Sequence, residues 1–574
     1  MKRIIVSVLV ISLTATIIIV PIAISNASDD KGNRVPYRTL TPNYTVPVGL
    51  VATYLDKLQS VTLPNNWEWV NKELDKTVGD AGNNFHSAIY TPVDTRFYII
   101  TSPVNVFVAQ ATPQTPVSPS GLNVFNGAQN MTLANIDLPS NWGWCVKQNQ
   151  NIREIGVQNF YAVYTPVNSN FHTLRIPVQV NVDGFVYTSA GGAHTLAVDT
   201  LGRVWSWGQN TNSQTFPGGN AFPIWRPRIV QGLGNIISVS AGDRHSMALG
   251  KCGNVWVWGR NTNAEIGNGG QGGNVSAPFR IPLFENNPIK AISAGDRHSM
   301  ALGRCGNVWS WGYRGQGRLG HGNNITGLQT TPMMIQNFEN IEFINAGRIH
   351  SVAVDNLGRV WAWGSGANGQ LGQVDTEDRN IPTMITLTNY GNQLIDIVKV
   401  DISHVHNIAL DKYGRVWTWG NNAGHDTTAP ISMRLPRMIQ STTYCGIDFS
   451  TIEFKSVSGS SSNFSMALDI NGNVWTWGHL AGPGIGHGQS VPELTPRMIT
   501  NARYYIGHPN FNNIDFTNVF ITSINNGPDH FSATDSFGRV WTWGRAGLGD
   551  TGGRLGHGGI TEEQIPRQIN QVIG

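Results

Sequence analysis

Hydrophobic and polar residues alternate in short runs that recur seven times along the second two-thirds of the chain. One copy has His-Ser-Met-Ala-Leu at 245–249 and Val-Trp-Val-Trp at 255–258, and every second side chain of such a run lies on one face of a strand. Each copy contains Trp-x-Trp-Gly, with a His or Phe eleven residues before the first Trp. The first tryptophans are Trp205, Trp256, Trp309, Trp361, Trp417, Trp475 and Trp541, and the residues before them are His194, His245, His298, His350, His406, Phe464 and His530. This spacing predicts a row of like β-units.

A turn separates the two alternating runs of each copy. In five copies it begins at an Asp and reaches a Gly three residues later, as at Asp199 and Gly202. Asp can accept hydrogen bonds from backbone N–H groups there, and Gly tolerates a positive φ, so the two runs predict a hairpin. Runs such as 236–240 add one strand, and a later Pro-x-x-Ile or Pro-x-x-Val suits an edge strand. Four strands per unit predict an all-β fold, a seven-bladed β-propeller without a free edge.

Longer stretches of the repeat resemble a known family. Residues 294–302 read Ala-Gly-Asp-Arg-His-Ser-Met-Ala-Leu, residues 306–312 read Gly-Asn-Val-Trp-Ser-Trp-Gly, and residues 319–322 read Leu-Gly-His-Gly. This order resembles the repeat of the regulator of chromosome condensation family, and the seven copies cover residues 184–574. The resemblance implies a propeller. The activity that names the family is nucleotide exchange on a small nuclear GTPase together with chromatin binding, but a fold does not fix a function.

A second repeat precedes the propeller. Leu-Pro, Trp-x-Trp and Tyr-Thr-Pro-Val begin at Leu63, Trp67 and Tyr90 and recur 75 or 74 residues later. Short alternating strands between turn residues suit a small β-sandwich. The motif order resembles the immunoglobulin-like repeats of bacterial cell-surface proteins. The predicted segments are immunoglobulin-like module 1 at 46–108, immunoglobulin-like module 2 at 121–183, and linkers at 28–45 and 109–120.

The amino terminus carries a basic pair before a long apolar run. Lys2 and Arg3 precede residues 4–24, which hold no charge. We interpret residues 1–27 as a signal peptide or as a membrane anchor, because a helix of this length, at about 1.5 Å per residue, spans a bilayer core. Both interpretations predict a secreted or membrane-anchored, extracytoplasmic protein, which contacts a membrane through residues 4–24 if the segment is not cleaved.

Composition favours recognition by shape over recognition by charge. Charged residues make up 13% of the chain and the formal net charge is +3 over 574 residues, so nucleic acid is not an expected partner. Four Cys are too few for a disulfide scaffold in an exported chain of this size. Asn-x-Ser/Thr sites are candidates for glycosylation if the producing cell modifies exported protein. The candidates are Asn43, Asn130, Asn274 and Asn324.

Common catalytic and metal-binding motifs are missing from the sequence. It has no His-Glu-x-x-His, no Cys-x-x-Cys, no phosphate-binding loop and no Gly-x-Ser-x-Gly, so we predict a protein that is not an enzyme and has no cofactor or metal. The repeated His could in principle surround a metal. Because Phe464 replaces one of them, hydrogen-bonded structural histidines are the preferred interpretation. The seven first tryptophans are interpreted as packing residues.

Arginines recur at two places in the repeat. Arg244, Arg297 and Arg348 precede the His position in three successive copies, whereas Arg203, Arg359, Arg415 and Arg539 follow the hairpin Gly. Hairpins and the preceding loops lie at opposite ends of a blade, so each end would carry a basic arc able to meet acidic side chains or a glycan carboxylate. The alternative is a set of solvated surface residues. Arg244, Arg297 and Arg348 are the predicted binding residues.

These observations favour a non-catalytic, exported or surface-anchored adhesion protein. Its propeller loops would bind an unidentified protein or glycan on a surface. Two alternatives remain open: guanine-nucleotide exchange on a small GTPase, which the family resemblance implies, and a secreted enzyme inhibitor.

Overall fold

The computed structural model describes most of the chain from residue 42 onward. The stretches outside this description are 1–41, 95–96, 98, 126–131, 146–151, 153–154, 216–221, 323–325, 388–391, 394–395, 422–431, 440–442, 445–446, 461–463, 479–484, 489–492, 504–512, 548–551, 560 and 570–574. The apolar run 4–24 therefore lies outside the described residues. In the part of the chain that is described, no helix combines the length and apolar character of a membrane span.

Seven sheets of antiparallel strands follow one another from residue 185, each ordered first, second, third and fourth strand. We number them sheet 1 to sheet 7. The first strands are Phe185–Ala190, Ile236–Ala241, Ile289–Ala294, Ile341–Ala346, Ile397–Ile402, Phe454–Gly459 and Ile521–Asn526. The second strands are His194–Asp199, His245–Gly250, His298–Gly303, His350–Asp355, His406–Asp411, Phe464–Asp469 and His530–Asp535.

The third strands contain the Trp-x-Trp-Gly motif, and the fourth strands complete each sheet. The third strands are Val204–Gly208, Val255–Arg260, Val308–Tyr313, Val360–Gly364, Val416–Asn421, Val474–Gly478 and Val540–Gly544. The fourth strands are Ile224–Ile229, Asn274–Arg280, Leu328–Met334, Arg379–Met384, Ser432–Met438, Glu493–Met498 and Glu563–Gln568. The predicted all-β repeat is thereby confirmed as a propeller-like series of four-stranded units.

Shorter elements decorate this series. Sheet 7 is extended by Asn501–Arg503 and Asn513–Asp515, and two small hairpins pair Thr386–Leu387 with Asn392–Gln393 and Thr443–Tyr444 with Ile447–Asp448. The 3₁₀ turns among the described residues are Leu58–Ser60, Asn71–Glu73, Leu133–Asn135, Pro282–Glu285, Gly315–Gly317, Phe449–Thr451 and Phe516–Asn518.

The hydrophobic core lies between neighbouring sheets. The second Trp of each repeat is fully buried: Trp207, Trp258, Trp311, Trp363, Trp419, Trp477 and Trp543. One core cluster joins Leu196 of sheet 1 to Trp258 of sheet 2. Another joins Trp205 of sheet 1 to Val540 of sheet 7. Because each sheet buries apolar side chains on both faces, it is stable only between neighbours, and sheet 1 packs against sheets 2 and 7.

The two ends of these sheets differ in their connections. The loops from first to second strand and from third to fourth strand leave from one end, which we call the loop face. The hairpins from second to third strand form the other end, the hairpin face. At the hairpin of sheet 4, Gly358 has φ 72° and a Cβ there would lie 2.6 Å from Asp396 N, so this turn requires glycine.

The N-terminal repeat gives two sheets of the same topology. The strands of the first are Leu50–Thr53, Trp67–Trp69, Gly82–Tyr90 and Ile100–Ala109, and those of the second are Leu122–Phe125, Trp142–Trp144, Gly156–Tyr164 and Leu174–Asp183. In chain order, both sheets run one-four-three-two, and strands one and four are parallel. Trp69 Nε1 donates to Val61 O (2.8 Å), as Trp144 Nε1 does to Ile136 O (3.2 Å). The described residues of each copy form a single sheet, so the sandwich remains a prediction.

Contacts divide the chain into two compact units. One comprises residues up to 117 with 140–143 and 163–176, and the other comprises 118–139, 144–162 and 177–574. Parts of the second N-terminal copy belong to each unit. All seven sheets belong to the second unit.

Candidate functional site

A belt of histidines joins neighbouring sheets. The second strand of every sheet except sheet 6 begins with a fully buried His. The Nε2 atom of this His contacts a polar side chain of the next sheet, at the second residue of that sheet's second strand. The pairs are His194–Ser246 (2.9 Å), His245–Ser299 (2.9 Å), His298–Ser351 (2.8 Å), His350–Asn407 (2.9 Å), His406–Ser465 (3.1 Å) and His530–Thr195 (2.9 Å). The last pair joins sheet 7 to sheet 1.

The hydrogen-bond partners of the belt determine which ring nitrogen of each histidine carries the proton. Ser246 Oγ donates to Gln214 O (2.6 Å) and Ser299 Oγ donates to Glu265 O (2.8 Å). Because a hydroxyl has one proton, the neighbouring His must donate through Nε2–H. The corresponding carbonyl acceptors for Ser351, Asn407 and Thr195 are those of Arg318, Gln370 and Arg554.

Burial keeps the belt rings neutral. It lowers the pKa of His194, His245 and His406 to about 3 and that of His350 to about 4. In sheet 6, Phe464 instead packs on Phe531, with ring centroids 5.4 Å apart. Among the described residues, no group of three or more His, Cys, Asp or Glu is placed to hold a metal. The hydrogen bonds of the belt connect neighbouring sheets.

On the hairpin face, an aspartate organises each Arg that follows a hairpin Gly. In sheet 1, Asp199 Oδ1 accepts backbone N–H bonds from Leu201 and Arg203, while Oδ2 accepts from Arg203 Nε (2.6 Å) and Trp205 Nε1 (2.8 Å). The same arrangement recurs at Asp355–Arg359–Trp361, Asp411–Arg415–Trp417 and Asp535–Arg539–Trp541. These arginines are ion-paired parts of the turn, not an unpaired basic arc.

The second N-terminal sheet contributes a contact to the hairpin face. Phe125 stacks on Trp205, with ring centroids 5.6 Å apart and an interplanar angle of 15°. The Arg203 guanidinium lies 5.4 Å from the Phe125 centroid, and Ile155 N donates to Ser536 O (3.4 Å). The hairpin face is thus partly covered at sheets 1 and 7.

The three predicted binding arginines lie together on the loop face of sheets 2 to 4. Arg244 Nε is 3.3 Å from Asp243 Oδ2, whereas Arg297 Nε and Arg348 Nε lie 3.6 Å and 3.8 Å from one oxygen, Asp296 Oδ2. The three Arg side chains are about half exposed. The ion pairs of these arginines are longer than those on the hairpin face. Because about half of each Arg side chain is also exposed, the three guanidinium groups form a charged surface.

Two arginines that sequence reasoning missed support this surface. Arg260 donates to Glu265 Oε1 (2.8 Å) and to Asp296 O (2.6 Å), and its Nη1 lies 3.4 Å from Asp243 Oδ2. Arg260 directly follows the Trp-x-Trp-Gly motif of sheet 2, and this position in the repeat is the sequence signal that identifies it. The second arginine, Arg318, is described next.

Arg318 holds the backbone of the sheet 4 loop. Its Nη1 donates to Arg348 O (2.8 Å) and its Nε to Gly315 O (2.9 Å). The Tyr313 ring lies between two guanidinium groups, 4.9 Å from that of Arg318 and 5.9 Å from that of Arg297. We call Asp243, Arg244, Arg260, Glu265, Asp296, Arg297, Arg318 and Arg348 the loop-face cluster.

The loop-face cluster has a formal surplus of positive charge, five guanidinium groups against three carboxylates. Burial, followed by the neighbouring Asp296, raises the pKa of Asp243. Burial lowers the pKa of Arg318 to about 10, which leaves it charged at neutral pH. Burial, followed by Arg348, lowers the pKa of His404, whose Nδ1 lies 3.2 Å from Arg348 Nη1. The cluster therefore suits recognition of an anionic group.

The candidate glycosylation sites are only partly described. Asn43 and Asn274 are exposed, and Asn274 begins the fourth strand of sheet 2. Asn130 and Asn324 lie outside the described residues. Glycosylation at these sites remains a prediction.

The sequence model of the RCC1-like domain matches residues 148–508, more than half of the chain. The chain belongs to the RCC1-like domain family. This RCC1-like chain is 27% identical over 340 residues to the Arabidopsis thaliana ultraviolet-B receptor UVR8, which covers 56% of the chain and 72% of UVR8. It is 26% identical to human RCC2 over 340 residues, 54% of the chain and 61% of RCC2.

The RCC1-like chain spans a small part of some relatives. Its match to the mouse E3 ubiquitin-protein ligase HERC2 is 27% identical over 393 residues, 66% of this chain but 7% of HERC2. Among solved structures, human WBSCR16 aligns with a TM-score of 0.53 at 22% identity, covering 64% of this chain and 93% of WBSCR16. Saccharomyces cerevisiae Prp20p aligns with a TM-score of 0.53 at 21% identity, covering 67% and 87%. These structures show a shared fold.

The comparisons overturn the hypothesis of an exported adhesion protein. The relatives of this RCC1-like chain are described as an ultraviolet-B receptor, as RCC2 and as E3 ligases, and Prp20p is described by its binding to Gsp1p and histones. The prediction of a protein or glycan partner on a surface is therefore wrong. So is the prediction of a secreted or membrane-anchored location, which gave too much weight to residues 4–24.

Proposed function

We propose that this RCC1-like chain binds a small GTPase through the loop-face cluster and promotes release of its nucleotide. The family resemblance implies exchange activity, and Prp20p, which shares the fold, is described as binding Gsp1p. The observation that carries the proposal is the group of three half-exposed arginines that lie on one face, 3.3–3.8 Å from Asp243 and Asp296.

We also propose a closed ring of seven blades over residues 184–574. Its support is the His530–Thr195 bond and the core cluster shared by sheets 1 and 7. In this proposal, the first tryptophans of the repeats are structural residues. Immunoglobulin-like modules at 46–108 and 121–183, separated by a linker at 109–120, precede the ring.

The loop face is the better docking surface for two reasons. Its arginines are half exposed at ion-pair distances of 3.3–3.8 Å, so they can exchange partners at little cost. The hairpin-face arginines are fixed at 2.6–2.7 Å, and part of that face contacts Phe125 and Ile155.

Promotion of exchange needs no covalent step in this chain. A docking protein accelerates nucleotide release when it binds the nucleotide-free GTPase more tightly than the loaded form. Charge pairing on the loop face would raise the rate of encounter with an acidic surface. The proposed role of the chain is therefore to bind the GTPase and to increase the fraction of it that is free of nucleotide.

A release assay tests this function. Purified full-length chain is added to small GTPases loaded with a fluorescent GDP analogue, and release is followed after addition of excess GTP. We expect faster release from at least one GTPase, and a reduced rate for the double variant Arg297→Ala with Arg348→Ala.

Arg304→Ala provides a matched control. Arg304 is an exposed arginine on the hairpin face of sheet 3, and it donates to Lys251 O (3.2 Å). We expect its release rate to equal that of the unchanged chain. Unaltered nucleotide release across Ras-, Rho-, Rab-, Arf- and Ran-type GTPases would reject the proposed function.

A further inference from the structure

One carboxylate of the loop-face cluster is shared by three arginines. Asp296 Oδ2 lies 3.6 Å from Arg297 Nε and 3.8 Å from Arg348 Nε, while Oδ1 lies 3.3 Å from Arg260 Nη2. These separations exceed the 2.7 Å between Asp535 and Arg539 on the hairpin face. Asp296 thus attracts Arg297 and Arg348 without satisfying either guanidinium fork.

Arg297 and Arg348 converge on a small volume beside Asp296. Because both Nε atoms are within 4 Å of the same oxygen, one ligand group can reach both guanidinium groups. Both arginines are supported by neighbouring side chains: Arg318 donates a hydrogen bond to Arg348 O, and the Tyr313 ring lies beside the Arg297 guanidinium. The two side chains remain about half exposed, so a ligand can approach from solvent.

We propose that Asp296 is an internal substitute for a carboxylate of the partner protein. An acidic segment of the partner would insert between Arg297 and Arg348 and displace Asp296 from them. Arg260 would then keep Asp296 paired, so displacement leaves no buried charge alone. This inference rests on the proposed function only in assigning docking to the loop face.

The chemistry of the cluster favours a carboxylate-bearing peptide over nucleic acid. A guanidinium fork matches a carboxylate in a bidentate geometry, and Asp296 already shows a carboxylate at this position. Binding to a nucleic-acid backbone draws its strength from many phosphate contacts. Here the formal surplus is two charges on three neighbouring sheets, and the whole chain has a net charge of +3.

A labelled acidic peptide provides the probe. A ten-residue peptide of alternating Glu and Gly carries a fluorophore, and its anisotropy is measured with the full-length chain at 50 mM and 500 mM salt. The control peptide has Gln in place of every Glu. We expect the Glu peptide to bind at low salt and to weaken at high salt, since half-exposed charges are screened, and the Gln peptide not to bind.

Variants separate the role of Asp296 from that of the arginines. Arg297→Ala with Arg348→Ala should weaken binding by about tenfold or more, because charge-assisted bonds are lost. Asp296→Asn should strengthen binding by about threefold, because it removes the carboxylate that competes for the two half-exposed guanidinium groups. Arg304→Ala should leave binding unchanged, and thermal unfolding of each variant checks its fold.

Two results would overturn the inference. If Asp296→Asn weakens binding as the arginine changes do, then Asp296 contributes to binding and is not a substitute. If a single-stranded oligonucleotide or inorganic phosphate displaces the peptide at lower concentration than the free Glu peptide does, then the site does not prefer carboxylates.

The proposed function fails independently. Peptide binding without accelerated release from any GTPase would reject the exchange function and retain the inference. Accelerated release that persists in the double arginine variant would retain the exchange function and reject this site for it.

Discussion

The hairpin face and the loop face use arginine in opposite ways. Arg539 lies 2.7 Å from Asp535 with 4% of its side chain exposed, whereas Arg297 lies 3.6 Å from Asp296 with 49% exposed. On the hairpin face, the Asp stands four residues before the Arg and first binds the backbone of the turn. On the loop face, Asp243 and Asp296 directly precede Arg244 and Arg297, whereas Arg348 follows Gly347 and reaches Asp296 of the neighbouring sheet. An Asp that ends a second strand four residues before an Arg therefore indicates an arginine of the hairpin turn.

In sheets 2 and 3, an adjacent Asp-Arg pair on the loop face is present and the Asp-Arg pair of the hairpin is missing. Their hairpins begin at Gly250 and Gly303 instead of Asp, and Asn254 and Asn307 stand where the hairpins of sheets 1, 4, 5 and 7 have Arg. The same two sheets carry the adjacent Asp-Arg pairs of the loop face. In these two sheets, the Asp-Arg pair therefore lies on the loop face and not in the hairpin.

Acid should have the largest effect, and it should act on the belt beneath the loop face. Burial lowers the pKa of His194, His245 and His406 to about 3, whereas unfolded rings titrate near 6.5. The unfolded chain therefore binds more protons between these values, and stability that is complete above pH 6.5 is lost as the pH falls. Each ring should cost up to about 1.4 kcal/mol per pH unit. Denaturant unfolding at pH 7.5, 6 and 5 measures this slope.

The variant His406→Gln is the matched control for that slope. Gln keeps a donor for Ser465 and does not titrate in this range. Its stability should fall less steeply with decreasing pH than that of the unchanged chain. Equal slopes would exclude His406 as a source of the acid sensitivity.

Breaking a buried hairpin pair should have the next largest effect. Asp535→Ala leaves Arg539 buried without its carboxylate, which should cost about 3–5 kcal/mol of unfolding free energy. Urea unfolding measures the change. Asp243→Ala on the loop face, where the carboxylate is 36% exposed, should cost under about 1 kcal/mol. Equal losses would remove the distinction between the faces.

Within the hairpin face, the loss of unfolding free energy should increase with the burial of the arginine that is removed. Arg415 has the same Asp partner geometry as Arg539, at 2.7 Å, but 47% of its side chain is exposed. Arg415→Ala should therefore cost at most about 1 kcal/mol, well below Arg539→Ala. If the two variants unfold at the same urea concentration, solvent exposure does not control the strength of these pairs.

The smallest effect on stability is expected for the docking arginines. Arg297→Ala with Arg348→Ala should change the unfolding free energy by less than about 0.5 kcal/mol for each substitution. The urea midpoint is the appropriate measurement. A loss above about 2 kcal/mol would show that these arginines support the scaffold.

Much of the scaffold could be predicted because its signals are local and repeated. Alternation at residues 245–249 and 255–258 indicates two strands of sheet 2, and the Asp199-to-Gly202 spacing indicates the hairpin of sheet 1. The adhesion hypothesis is wrong because an apolar run such as 4–24 does not by itself determine location, whereas the repeat indicates the family.

The supporting parts of the site could not be predicted from local signals. Arg260 belongs to sheet 2 and reaches Asp296 of sheet 3, and Arg318 of sheet 3 reaches the backbone of Arg348 in sheet 4. These contacts depend on the packing of neighbouring sheets, which no spacing within one repeat reveals. Arg244, Arg297 and Arg348 were identifiable because they recur near the same motif position.

The carbonyls that anchor the histidine belt let this fold keep its connections between sheets although the side chains at the same positions differ. Five equivalent positions supply that carbonyl, and their side chains differ: Gln214, Glu265, Arg318, Gln370 and Arg554. The anchoring atom belongs to the main chain, so each position retains it whatever the side chain. Substitution at these buried positions can therefore change the ionic partners beneath the loop face while the main-chain acceptor persists. For protein engineering, a charge placed there needs a matching partner, as Glu265 has in Arg260.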